Sequence, residues 1–146
     1  MISSVLNQIS DEDYKKKGTH ILSIGAHVRH TLEYLHILLL SDLNEPINYA
    51  ERKRDLLLET DRSYAMENIN SLYPILNKPD QQITLTEDDQ SYSSSFKREM
   101  LYMHEHIVHH CALLKIELKT IAGLDVEPCF GFAKSTLKHM EINVST

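Results

Sequence analysis

Tryptophan is absent from this chain, and cysteine, glycine and proline are scarce, with 2, 4 and 4 residues of each among 146. So little glycine and proline argues against a turn-rich β fold, a collagen-like repeat or a flexible linker, all of which draw heavily on them. The two cysteines, Cys111 and Cys129, have neither metal-type nor redox-type spacing, which removes a disulfide framework and a thiolate metal cluster. Basic residues are outnumbered, 15 Lys and Arg against 21 Asp and Glu, and the formal net charge is −6. Lys15–Lys17 is the one basic run, so the patch that nucleic acid requires is missing. Long hydrophobic runs are missing too: Ile37–Leu40 and Cys111–Leu114 are far too short to span a bilayer. Met1–Ile9 lacks the charged start and apolar core of a signal peptide. The expectation is a cytoplasmic protein with reduced thiols, no membrane and no nucleic-acid partner.

The remaining composition suits one helical domain spanning 1–146, long enough to bury a core without staples. Met1–Ile9 reads as a short first helix, closed by the polar stretch Ser10–Gly18. Leu22–Ser41 is helical, with Ile24, Val28, Leu32, Leu35 and Leu39 in helical spacing. A connection holding Pro46 and the charged run Glu51–Asp55 follows. Thr60 can cap a third helix towards Asn77, which Pro74 should kink or shorten. Lys78–Ser95, rich in Asp, Gln and Ser, reads as a long loop; the alternation of Ile83 and Leu85 is its one hint of extended chain. The longest helix is expected from about Phe96 to Ala122, stopped by Gly123 at a C-cap position, with a further short helix near Ser135–His139. The pattern predicts an all-α fold, a four-helix bundle with a long crossover connection.

Several catalytic motifs are also absent. No glycine-rich phosphate loop and no G-x-S-x-G is present. The H-E-x-x-H zinc motif is missed, because Val108 stands four residues after His104. A di-iron bundle needs two E-x-x-H pairs on different helices, and only Glu33 with His36 has that spacing.

Histidine, in contrast, is abundant, with nine residues, four of them at 104, 106, 109 and 110. Each helical residue turns by about 100°, so these four can be placed around the axis. With His110 as origin, Met103, Leu114 and Ile121 fall within roughly 40°, and His106 lies about 40° to the other side. Glu105, Lys115 and Lys119 take the opposite face, so His106 and His110 border the buried stripe while His104 and His109 point away from its centre. A spacing of i, i+4 puts the inward pair one turn apart, close enough to share an ion. On the earlier helix, His27, His30, Tyr34 and Ile37 form a second stripe opposite the main apolar arc. Arg29, Glu33 and His36 form a polar strip between the two, with His36 expected to face water. Either His27 or His30 can then meet His106 and His110 across the core. A set of imidazoles suits zinc, nickel or iron rather than magnesium or calcium. Three protein ligands leave a coordination position open, which is the catalytic pattern.

The order of motifs resembles the DinB/YfiT-like superfamily of metal-binding helical proteins. The resemblance rests on Ser23-Ile24-Gly25-Ala26-His27-Val28-Arg29-His30 and His106-Ile107-Val108-His109-His110. It also rests on Tyr49-Ala50-Glu51-Arg52-Lys53-Arg54-Asp55, Glu59-Thr60-Asp61-Arg62 and Phe130-Gly131-Phe132-Ala133-Lys134-Ser135-Thr136-Leu137, where Lys134 replaces a common proline. It implies a zinc or nickel ion on His30, His106 and His110, a homodimer, and transfer or isomerisation dependent on a low-molecular-weight thiol. On this reading the protein is a metal-dependent hydrolase or thiol transferase acting on a small electrophile, with a fourth histidine, His27 or His109, as the available base. Arg52 or Arg54 would hold an anionic substrate, with Tyr49 and Tyr102 supplying hydroxyls. The cluster Arg52, Arg54, Asp55, Asp61 and Arg62 has a structural reading as well, a network fixing the connection to the core. Glu117, on the inward face, is a candidate partner for a ligand histidine. The rival reading is a non-catalytic dimer whose metal site is structural or vestigial, or a small-ligand pocket, and a fourth protein ligand would favour it.

Overall fold

The computed structural model describes residues 2–18 and 22–139. In chain order these form α1 (Ile2–Leu6), α2 (Asp11–Lys15), α3 (Ile24–Leu40), α4 (Leu57–Thr60), α5 (Arg62–Leu72), β1 (Gln82–Glu87), β2 (Gln90–Ser95), α6 (Phe96–Ala122) and α7 (Lys134–His139). Met1, where the expected first helix began, lies outside the described residues. No helix among them is long and apolar enough to cross a membrane.

The expectation of an all-α four-helix bundle is incorrect. Helices account for 60% of the described residues and strands for 11%, so the fold is mixed α and β. The strands arise inside Lys78–Ser95, expected as a loop. There β1 and β2 pair antiparallel from Gln82 opposite Ser95 to Glu87 opposite Gln90. Their two-residue turn is Asp88-Asp89, both with positive φ of 47° and 61°. That geometry belongs to the tight hairpin turns that Asn-Gly and Asp-Gly usually announce. Asp tolerates it through its short polar side chain, so the turn forms without its usual signal. The serines of β2 further hide the strand, since they leave no apolar alternation. An isolated hairpin is marginal in water, but this one is anchored. Ile83 is buried, and Ile47 bridges to the hairpin through Ile47 N–H to Thr84 O and Thr86 N–H to Ile47 O, both 2.8 Å.

Two helices carry the core. α6 runs over the expected span, capped by Ser95, whose hydroxyl accepts from the Arg98 N–H, and ended by left-handed Gly123. α3 is capped by the Ser23 hydroxyl, which accepts from the Ala26 N–H at 3.0 Å. Val28, Leu32 and Leu39 of α3 and Met103, Leu114 and Leu118 of α6 are all buried in one cluster. Around them lie elements that periodicity does not reveal. α2, inside the expected polar connector, buries only Tyr14, whose hydroxyl donates to the Leu58 carbonyl. α4, with four residues, is likewise too short for a periodic signal. The third helix is α5, capped by Asp61 rather than Thr60, and it gives way at Leu72 to a 3₁₀ turn, Tyr73–Ile75, containing Pro74.

Gly25 lets α4 sit against the first turn of α3. A Cβ there would come within 2.0 Å of the Glu59 carbonyl oxygen and 2.8 Å of the Tyr14 ring. Backbone cannot yield cheaply, so Gly25→Ala is expected to destabilise the fold by about 1–3 kcal/mol. A lowered urea midpoint with unchanged slope is the measurement that checks it.

Candidate metal centre

α3 and α6 bring the histidines together. The ring of His30 lies 5.1 Å from His106 and 4.7 Å from His110, while His27 lies 5.4 Å from His110. Numbers therefore rise along one helix as they fall along the other, and the helices run antiparallel at the site. His106 and His110, one turn apart on α6, have ring centres 4.7 Å apart. One nitrogen from each of His30, His106 and His110 lies within 4.8 Å of the other two, so the three could hold one metal ion. Among the described residues no fourth His, Cys, Asp or Glu joins them at that distance.

The electrostatics suit a ligand set. Burial pushes the His30 imidazole down to about 4, helped by the charge of His106 and of Arg52. Burial likewise pushes His110 down to about 3, with His106, His30, His27 and His109 adding to it. His106 is lowered by burial, His109 and Arg52. At neutral pH all three are uncharged and keep a nitrogen lone pair for a metal. His106 Nε2 is buried without a hydrogen-bond partner among the described residues. An orphaned imidazole nitrogen beside two neutral imidazoles is what a bound cation would satisfy.

The other expected residues divide. His27 is buried, and its Nδ1 lies 3.2 Å from Nδ1 of His110. His109 is exposed, and its ring meets that of His110 edge-on at 5.2 Å. Tyr49 and Tyr102 line a cavity of about 450 Å³ beside the triad, together with Tyr34, Ser94, Arg98 and Glu99. Tyr34 joins cavity to triad, its ring 4.9 Å from both His30 and His106. The Tyr49 hydroxyl donates to buried Glu99 at 3.1 Å, and burial beside that carboxylate holds its pKa well above the usual range. Glu99 also accepts from Ser94 Oγ and Arg98 Nη1, both at 2.6 Å. Arg52 lies over the Tyr34 ring at 4.7 Å and donates to the Tyr49 carbonyl at 3.1 Å. Arg54 is exposed, and the structure does not bring it to this group. Glu117 is buried against Gly18, and among the described residues neither carboxylate oxygen is hydrogen-bonded, to a ligand histidine or otherwise.

The polar strip of α3 is different from the expectation. Glu33 is only 2% exposed and gathers several partners. It accepts from Arg29 Nη1 at 2.9 and 3.0 Å and from the Asp55 N–H at 3.0 Å, and it pairs with Arg52 Nε at 3.8 Å. Arg29 extends the network to Glu59 at 2.8 Å, and the Tyr64 hydroxyl donates to Asp55 at 2.9 Å. Arg62 and Asp61 lie elsewhere, Arg62 bonded to Asp11 and Asp61 capping α5. His36, expected to face water, is half-buried with its pKa lowered by burial. The connection between α3 and α5 folds over this side of the helix, which a helical wheel cannot show. Sequence reasoning gave no role to Glu33, Tyr34 or Glu99. The signals that could have found the first two are the i, i+4 pair Arg29–Glu33 and the place of Tyr34 on the histidine stripe.

No family model matches this chain. Among curated proteins it is 33% identical to FK506-binding protein 5 of Rhizopus delemar, over 65% of this chain and 28% of that protein. The chain thus spans under a third of the length of the curated relative it matches. No solved structure matches it.

Two outcomes are expected from this arrangement. Glu33→Ala leaves Arg29 and Arg52 without their buried partner and should cost about 3–5 kcal/mol, read from urea denaturation. In the unfolded chain the site imidazoles titrate near 6.5, whereas His30 and His110 titrate near 4 and near 3 when folded. Between those values the unfolded state binds more protons, so the metal-free protein is most stable above the unfolded value. Stability should fall as pH drops from about 6.5 towards about 4, measured on chelator-treated protein. His30→Gln should flatten that dependence.

Proposed function

We propose that this chain is a metal-dependent enzyme of the DinB-like kind that acts on a small electrophile, by transfer of a low-molecular-weight thiol or by hydrolysis. The observation that carries this reading is the convergence of three neutral imidazoles, one with an orphaned nitrogen, beside an open cavity. His30, His106 and His110 would hold the ion, and an all-imidazole set favours zinc or nickel. Bound there, a divalent ion supplies Lewis acidity at neutral pH.

The chain's own groups supply the rest. Tyr34, Tyr49 and Tyr102 form an aromatic wall for the substrate, and the Tyr49 hydroxyl keeps its proton for the bond to Glu99. Arg52 sits close enough to lower the pKa of both His30 and His106, so its charge favours an anionic group near the triad. With a thiol as co-reactant, its sulfur would add to the electrophilic carbon of a polarised double bond, the π bond would break, and the thiol proton would end on the atom that takes its electron pair. The three-nitrogen set, without a fourth protein ligand among the described residues, favours this reading over a closed structural site.

The test is metal content after dialysis. Wild type is expected to retain about one equivalent of zinc or nickel, His110→Ala to lose it, and His109→Ala to keep it. No uptake of zinc, nickel or iron by wild type would end the metal reading. Turnover of a panel of electrophiles with a small thiol should vanish in His106→Ala, and Arg52→Gln should raise KM for anionic substrates by about tenfold. Activity indifferent to His106 would place the chemistry elsewhere.

A further inference from the structure

The contact between His27 and His110 has a chemical requirement of its own. The two Nδ1 atoms lie 3.2 Å apart, His27 is only 4% exposed, and His110 belongs to the triad. Two ring nitrogens this close share one proton, with one donating and the other accepting. If His27 donates, neutral His110 must carry its own proton on Nε2, and its Nδ1 lone pair is taken up by His27. Neither nitrogen of His110 is then free for a metal. If His110 donates from Nδ1, its Nε2 is bare and able to ligate.

We infer that His27 is the positioning residue of the centre, accepting the Nδ1–H of His110 and so holding His110 in the tautomer that presents Nε2 to the ion. This rests on the metal reading above. The usual partner of a ligating histidine is a carboxylate, a backbone carbonyl or water. Here the neighbouring carboxylates are engaged or distant: Glu33 is tied to Arg29, and Glu117 lies against Gly18. A second imidazole occupies the acceptor position instead. His27 is also fixed by the fold: one turn before His30 on α3, it faces α6 where His110 does. Accepting at Nδ1 puts the proton of His27 on its own Nε2, so the pair has one productive arrangement. His27 therefore acts through His110 and stays out of the triad.

Zinc affinity, read by competition with a chromophoric chelator, tests the assignment in wild type, His27→Phe and His27→Gln. Phe keeps the ring and removes the acceptor, while Gln restores a carbonyl acceptor. His27→Phe should weaken zinc binding by about 10–100-fold, and His27→Gln should recover most of the loss. Cobalt(II) spectra of the same proteins should keep the wild-type coordination number in Gln. Zinc binding by a folded His27→Phe protein that equals wild type would overturn the inference alone, and no uptake by wild type would overturn the metal reading with it. Should His27→Phe fail to fold, imidazole nitrogen NMR of zinc-loaded wild type decides. His110 ligated through Nε2 with a proton on Nδ1 is the expected result, and ligation through Nδ1 would refute it.

Discussion

The antiparallel contact between α3 and α6 is the constraint on which the rest of the site depends. It sets His30 against both His106 and His110, and His27 against His110. Both helices are held in register by apolar faces that also build the core, so the same packing that stabilises the fold aligns the imidazoles. Rotating either helix by one residue, about 100°, would take its histidines out of the group. The site therefore needs no loop to assemble it, and rigid elements position side chains more closely than loops do.

Charge is arranged around that contact in a graded way. The imidazoles are kept neutral by burial and by mutual proximity. Arg52, the cation next to them, is offset by Glu33, which is itself held by Arg29 and the Asp55 backbone. A buried carboxylate with this many donors is satisfied, whereas one deprived of them would be costly. Glu33 thereby links the connection after α3 to the helix that carries His27 and His30. On the other flank Glu99 does the equivalent for Tyr49, Ser94 and Arg98. Two buried acids, one on each helix, thus hold groups that touch the aromatic lining, Glu33 through Arg52 over Tyr34 and Glu99 through Tyr49.

What could be read from the sequence is what depends on periodicity within one element. α6 follows its expected span, from the Ser95 cap to left-handed Gly123, and the rotational placing of its histidines holds: His104 and His109 are exposed, His106 and His110 turn inward. The choice between His27 and His30 could not be made from a helical wheel, because both lie on one stripe and only the partner helix separates them. The errors share a cause as well. The hairpin hides behind serines and an Asp-Asp turn, the burial of Glu33 and His36 comes from a covering connection, and α2 and α4 are too short to show a period. Each is a tertiary effect, decided by what lies on top of a segment and not by the segment's own pattern.

The hairpin gives the molecule a division of labour. The imidazoles that could hold an ion sit on α3 and α6, whereas one wall of the adjoining cavity, with Leu85, Thr86, Tyr92, Ser93 and Ser94, is built on β1 and β2. The hairpin meets the α3–α5 connection through the bridge at Ile47, and its tip, Asp88-Asp89, is exposed. The hairpin's exposed side chains can change without altering the helix packing that aligns the histidines, whereas Ile83 and Ser94 are tied to the core and to Glu99. Over evolutionary time, then, the lining of the cavity is free to drift while the three imidazoles keep their arrangement.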